Sequence, residues 1–302
     1  MSSFTYTTPP PFKPFDLTLI QLGGVGSDKA ANLQHARDMI LKAAHKGGQD
    51  DSRPKIIVLP EIFNSPYGHA YFPIYAETIG YIADKPYDTN NSPSDSVRML
   101  SSVAKEIGTW IVGGSIAERG DDGKIYNTCE LVAMHRKVHL FDIDIPGKMT
   151  FKESETLTGG SSIAFFDTEF ARIGLGICYD VRFPEVAMIN ARKGCHVLIY
   201  PAAFNLTTGP LHWKLLQQAR AVDNQVFFSM CSPARDTTAS YHAWGHSMVV
   251  DPLGTVLAEA EHEESILHVY INPKVFDDAR AGIPVTTQRR FDVYLDVSKK
   301  TS

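Results

Sequence analysis

Cys178 is the residue of this 302-residue chain best suited to nucleophilic chemistry. It lies near the end of the apolar run Arg172-Ile-Gly-Leu-Gly-Ile-Cys-Tyr-Asp180, whose small and branched residues read as a buried strand. Tyr179 to Glu185 break the run and open a helix at Pro184. A strand-to-helix elbow exposes the side chain at its tip and leaves backbone N–H groups free, which suits a thiol whose reaction must stabilise an oxyanion. Most free cysteines are small buried core residues, so on this stretch alone packing competes with catalysis.

Charged partners for a thiol come from two other runs. Lys55-Ile-Ile-Val-Leu-Pro-Glu61 is an apolar strand closed by proline, and a carboxylate just past it falls at the carboxyl edge of a sheet, where α/β proteins place their sites. A solvated strand-end glutamate is the competing reading. Lys137 lies in Ile125 to Leu140, a stretch with no Gly or Pro that reads as extended throughout, and a lysine in a strand commonly snorkels to the surface. The aromatic loop Asn64 to Pro73 could wall a pocket.

The elements that must position these residues alternate between strands and helices, which defines an α/β protein. Strands are expected over 15–22, 55–61, 109–116, 196–201 and 225–231, with helices over 28–46, 184–192 and 210–222 and another ending near 107. A hairpin is expected over 247–260, turning at Pro252-Leu-Gly, and a last strand over 291–297. Two strands closed by proline, at Pro60 and Pro201, suggest a doubled sheet unit. Residues 1–14 read as an extended tail and 15–302 as a single domain.

With 43% apolar and 21% charged residues the composition is that of an ordinary globular protein. The net charge is −5 and no basic run gathers, so nucleic acid and acidic membrane surfaces are not expected partners, and a small-molecule substrate is. Cys129, Cys178, Cys195 and Cys231 form no Cys-x-x-Cys pair, which argues against zinc and a disulfide framework and for a reducing compartment. No apolar run approaches the ~20 residues of a membrane span. Gly23-Gly-Val-Gly26 lacks the rest of a dinucleotide fingerprint.

Four stretches taken together resemble the motifs of the nitrilase (carbon-nitrogen hydrolase) superfamily: Leu59-Pro-Glu61, Arg136-Lys-Val-His-Leu140, Phe151-Lys-Glu-Ser154 and Gly176-Ile-Cys-Tyr-Asp180. Within it, Glu61 to Gly68, His139 to Gly147 and Ala203 to Trp213 are similar to the omega-amidase branch. The resemblance implies a four-layer α-β-β-α sandwich that pairs into homodimers. It also implies hydrolysis of monoamides of short dicarboxylic acids, such as 2-oxoglutaramate and 2-oxosuccinamate, without a metal or organic cofactor. A cytoplasmic location is expected, with a mitochondrial fraction left open. An amidase for deaminated glutathione or an N-carbamoyl amine hydrolase is the alternative among enzymes, and a scaffold protein is the alternative outside them.

Amide hydrolysis needs a nucleophile, a proton shuttle and an oxyanion stabiliser, and one thiol, two carboxylates and one ammonium can supply all three. Cys178 is the expected nucleophile and Glu61 the proton shuttle, tuned by burial and by a second acid. Lys137, with the N–H of Tyr179, is expected to favour the thiolate and hold the oxyanion, and the resemblance to the family motif implies that Glu153 orients Lys137. Arg182, four residues past Cys178, could fork onto a substrate carboxylate or form a structural salt bridge. Asn205 and Tyr67 are further candidates for the pocket wall. His139, His212 and His246 sit in no papain-like context.

Overall fold

A computed structural model describes residues 8–45, 52–81, 85, 87–129 and 133–299. The first half runs β1 (Phe15–Gln21), α1 (Lys29–His45), β2 (Lys55–Val58), α2 (Phe72–Tyr75), α3 (Asp95–Ile107), β3 (Trp110–Val112), β4 (Ile116–Arg119), β5 (Ile125–Cys129), β6 (His135–Arg136), β7 (Asp142–Ile145) and β8 (Met149–Lys152). The second runs β9 (Phe165–Asp167), β10 (Arg172–Leu175), α4 (Pro184–Arg192), β11 (Val197–Pro201), α5 (Gly209–Asn224), β12 (Phe227–Cys231), β13 (Met248–Val250), β14 (Val256–Glu259), β15 (Ser265–Ile271) and α6 (Pro273–Gly282).

Two sheets hold the centre, one ordered β15-β1-β2-β3 and the other β14-β13-β12-β11-β10-β9. Each contains one of the strands closed by proline, β2 and β11, paired in parallel with neighbours on both sides. Side-chain alternation explains the layering. Leu17, Leu19, Ile56 and Val58 join Ile173, Leu175, Val197 and Ile199 in one core cluster, while Ile20, Ile57 and Leu59 pack with Leu33, Ile40, Leu100 and Val103 of α1 and α3. Strands covered on both faces read as continuous apolar runs, as β2 and β11 do. With α4 and α5 against the second sheet, the layers are helix, sheet, sheet and helix, the expected sandwich.

Two expectations change. Ile125 to Leu140 is not one extended run: β5 and β6 pair antiparallel, with Cys129 opposite His135. Part of the connection, residues 130–132, lies outside the described residues. A five-residue connection does not demand the Gly or Asn of a two-residue turn, which is why the sequence carries no turn signal there. Residues 291–297 form turns, not a strand. Val293 and Leu295 are 69% and 77% exposed, so the apolar alternation finds no buried face, and Asp296 spends its carboxylate on Arg192 and the Ser298 N–H. Residues 8–14 before β1 form no helix or strand; the Phe12 ring stacks 4.4 Å from the His196 ring while Lys13 and Pro14 are exposed, and residues 1–7 lie outside the described residues.

Candidate active site

The turn after β10 delivers Cys178. Gly176 makes the approach possible, because a Cβ there would lie 2.3 Å from the Tyr200 ring. Cys178 itself has φ of 43°, a left-handed conformation uncommon for a side-chain-bearing residue, and it opens the short 3-10 helix Cys178–Arg182. No acceptor for the Tyr179 N–H is found among the described residues, as expected at a helix start. The Cys178 sulfur accepts a hydrogen bond from the Ala203 N–H at 3.5 Å and is 4% exposed.

Glu61 follows β2 and is fully buried. The Ser115 hydroxyl accepts from the Ile62 N–H at 3.1 Å, and Gly114, at φ 65°, lets the neighbouring chain approach so closely that a Cβ would lie 2.2 Å from the Pro60 carbonyl. Glu61 Oε1 accepts from Asn127 Nδ2 at 2.7 Å and Lys137 Nζ at 2.9 Å. Its Oε2 is buried with no hydrogen-bond partner among the described residues.

Lys137 is likewise fully buried, against the general tendency of strand lysines. Its backbone N–H donates to the Asn127 carbonyl at 2.8 Å, extending the β5–β6 pairing, and its ammonium bridges Glu61 and Glu153, 2.9 Å from each. Glu153 starts a single 3-10 turn after β8. It also accepts from the Tyr67 hydroxyl at 2.6 Å and the Phe141 N–H at 2.7 Å, so its carboxylate is anchored on both oxygens.

Burial pushes the Glu61 carboxyl up, against the pull of Lys137 and with added repulsion from Glu153. Burial opposes the charge on Lys137, yet Glu153 and Glu61 hold the ammonium well above its usual range. The Cys178 thiol is pushed well up by burial and by Glu61, more than Lys137 and the Ala203 N–H lower it. The resting site therefore holds a neutral thiol beside an ammonium, and the sulfur loses its proton only when a base takes it.

Of the predicted site residues, Cys178, Glu61, Lys137 and Glu153 converge, joined by residues 61, 137, 153 and 178 of four separate stretches. Tyr67 contacts Glu153 and lines, with Glu61, Ala203 and Tyr241, a cavity of about 340 Å³. Arg182 forms no carboxylate ion pair among the described residues. Its guanidinium shares a hydrogen bond with His212 Nδ1 at 3.0 Å and lies over the Phe204 ring at 4.9 Å. Asn205 uses its side-chain oxygen on the Thr207 and Thr208 N–H groups at 2.9 Å each, at the start of α5. Neither Arg182 nor Asn205 lines that cavity. His139 bonds Asp180, His212 bonds Arg182 and His246 stacks on Trp244, so none serves as the histidine of a thiol-imidazole pair.

Sequence reasoning missed Asn127, Tyr241 and Asp180. Asn127 donates to Glu61, and the Tyr241 ring lies 4.4 Å from that of Tyr67, tilted by 34°, with its hydroxyl donating to the Ala203 carbonyl. An asparagine inside an extended run, where strands are depleted in it, is the signal that could have found the first, and the structure buries Asn127 fully.

The chain belongs to the carbon-nitrogen hydrolase family, whose family model matches residues 16–281. It is 52% identical to omega-amidase NIT2 of Homo sapiens over 293 residues, covering 95% of this chain and 99% of that protein. It is also 52% identical to hydrolase C26A3.11 of Schizosaccharomyces pombe over 296 residues, covering 96% of this chain and 86% of that one. Among solved structures, Saccharomyces cerevisiae Nit3, a member of branch 10 of the nitrilase superfamily, superposes with a TM-score of 0.81 at 46% identity, covering 92% of this chain and 97% of that one.

Proposed function

We propose that this chain is an omega-amidase that hydrolyses monoamides of short dicarboxylic acids, 2-oxoglutaramate and 2-oxosuccinamate among them, through a cysteine thioester. The observation that carries the reading is the buried Glu61–Lys137–Glu153 chain beside Cys178, together with the 52% identity to omega-amidase NIT2 of Homo sapiens. Glu61 takes the thiol proton as the sulfur attacks the carboxamide carbon. The tetrahedral oxyanion is met by the Lys137 ammonium and the Tyr179 N–H. Collapse breaks the C–N bond, Glu61 returns the proton to the leaving nitrogen, and ammonia departs. Water deprotonated by Glu61 then hydrolyses the thioester and releases the diacid.

The substrate's free carboxylate calls for a cation, and Arg182 is the candidate we assign: half-buried, without an acidic partner among the described residues, and on the turn that carries Cys178. Tyr67 lines the cavity wall. All four cysteines are free and buried, which supports a reducing compartment, the cytoplasm. Among the described residues no helix is long and apolar enough to cross a membrane. The exposed side chains of Leu211 and Leu215 on α5 and of Leu253 and Leu257 at the β13–β14 hairpin support a homodimer.

The test is ammonia release from 2-oxoglutaramate by wild type and Cys178→Ala. Release that vanishes in the variant supports the thiol mechanism. No release from wild type, with release from a deaminated glutathione or an N-carbamoyl amine, moves the assignment to a sibling amidase, and full activity of Cys178→Ala overturns the mechanism.

A further inference from the structure

Lys137 and Cys178 come from separate parts of the chain, and one buried carboxylate ties their backbones together. Asp180 is fully buried and accepts four hydrogen bonds. Oδ2 takes the Ile177 N–H and His135 Nε2, both at 3.0 Å, and Oδ1 takes the His139 N–H and His139 Nδ1, both at 2.9 Å. Ile177 immediately precedes the cysteine. His135 and His139 lie two residues to either side of the lysine. A carboxylate accepts only, so both imidazoles must present N–H groups to it.

Two further observations show that this arrangement is built rather than incidental. His135 is fully buried, and its other ring nitrogen, Nδ1, has no hydrogen-bond partner among the described residues, a cost the fold carries to keep an imidazole there. The His139 ring stacks on Phe183 with centroids 3.6 Å apart and planes 9° from parallel, and Phe183 is the residue that ends the Cys178 turn. His139 is thus held to the elbow by its backbone, its ring nitrogen and its ring face.

We propose that Asp180, with His135 and His139, is the positioning residue that fixes the Lys137 ammonium against the Cys178 sulfur. Asp180 touches neither substrate nor reacting atoms. It acts by crossing from the turn after β10 to β6 and the segment that follows it with a carboxylate saturated on both sides, so neither backbone can slide without stranding a buried charge. A displacement of the order of 1 Å between reacting groups costs about 100-fold in rate. The inference rests on the amidase reading for its effect on turnover, but the reactivity of the thiol is independent of which amide is cleaved.

The experiment pairs two readouts on purified full-length protein: ammonia release from 2-oxoglutaramate, and the rate of Cys178 alkylation by iodoacetamide followed by mass spectrometry. Asp180→Asn keeps the shape but replaces one accepting oxygen with a donor. The expected result is kcat lower by about 100-fold with KM within about twofold of wild type, because the Arg182 and Tyr67 side chains bond His212 and Glu153 and not the Asp180 carboxylate. Alkylation slows by about tenfold as the thiol loses its ammonium neighbour. His139→Ala shows the same pattern, and His139→Asn, whose amide can reach Oδ1, recovers to within a few-fold of wild type.

Folded Asp180→Asn with wild-type kcat and alkylation rate overturns the proposal. If that variant does not fold, the His139 pair decides: equal losses in His139→Ala and His139→Asn, with KM rising alongside the fall in kcat, leave only a structural role. A wild type that releases no ammonia defeats the amidase reading, and the alkylation rates still decide on Asp180.

Discussion

Replacing Lys137 with methionine removes the one positive charge that, among the described residues, pairs with the buried Glu61 and Glu153, while keeping a similar apolar stem. Glu153 retains the Tyr67 hydroxyl and the Phe141 N–H, whereas among the described residues Glu61 retains the Asn127 amide alone on Oε1, so Glu61 is the group that must take up a proton. Removing one partner of a buried ion pair costs about 3–5 kcal/mol, which for a chain of this size is on the order of 10 °C in Tm. The loss depends on pH with a definite sign. Glu61 is already raised by burial, and losing the ammonium that opposes this raises it further. A carboxyl raised in the folded state contributes stability that is fully present below its unfolded value, about 4.3, and lost as the pH climbs through the folded one. Guanidinium unfolding of wild type and Lys137→Met at equal protein concentration should therefore show a small deficit at pH 5 and the full one at pH 8. A deficit below about 1 kcal/mol at pH 8, little above what a surface change produces, or one equal at both pH values, would refute the placement of Lys137 as a buried bridge between the two acids.

Asn127→Ala strips Glu61 of a hydrogen bond at 2.7 Å and should cost about 1–3 kcal/mol in chemical denaturation along with a fall in kcat, since the buried carboxylate is left with Lys137 as the one donor to Oε1 found among the described residues. Gly114→Ala forces a Cβ to within 2.2 Å of the Pro60 carbonyl at φ 65°, so thermal melting should fall by several degrees and ammonia release with it, through displacement of Glu61. Tyr67→Phe deletes a 2.6 Å bond to Glu153, and steady-state kinetics should show kcat down by about tenfold, the worth of one charge-assisted bond, with the fold intact by circular dichroism. Alkylation of Cys178 should accelerate steadily from pH 6 to pH 9 with no plateau near neutrality, because burial and Glu61 hold the thiol well above its usual range.

The elements that carry their own periodicity were legible before any coordinates. The apolar runs of β2, β10 and β11 and the helix opening at Pro184 fall where their residues place them, because a strand buried on both faces must be apolar throughout and proline favours a first helical turn. The elbow at Cys178 was readable for the same reason. Residues 291–297 show the opposite limit: alternation without a partner strand or a buried face yields turns. The Ser265–Ile271 strand and the Pro273–Gly282 helix lay outside the sequence-derived expectation, and β15 is defined by its antiparallel pairing with β1 at the other end of the chain.

By itself the sequence determined the chemistry available: one elbow thiol, acids at residues 61 and 153, a lysine at 137, and no metal or disulfide cysteine pattern. Only the tertiary structure decided what those groups are. Whether Lys137 snorkels or bridges two acids depends on where β6 pairs and on Gly160 donating to the Lys137 carbonyl at 2.8 Å, contacts between segments that share no local signal. Asp180 shows the same point over 41 and 45 residues of separation to His139 and His135. Hydrophobic patterning is a property of neighbours along the chain, whereas a charge acquires its proton affinity from whatever the fold sets beside it and from the water that the fold removes.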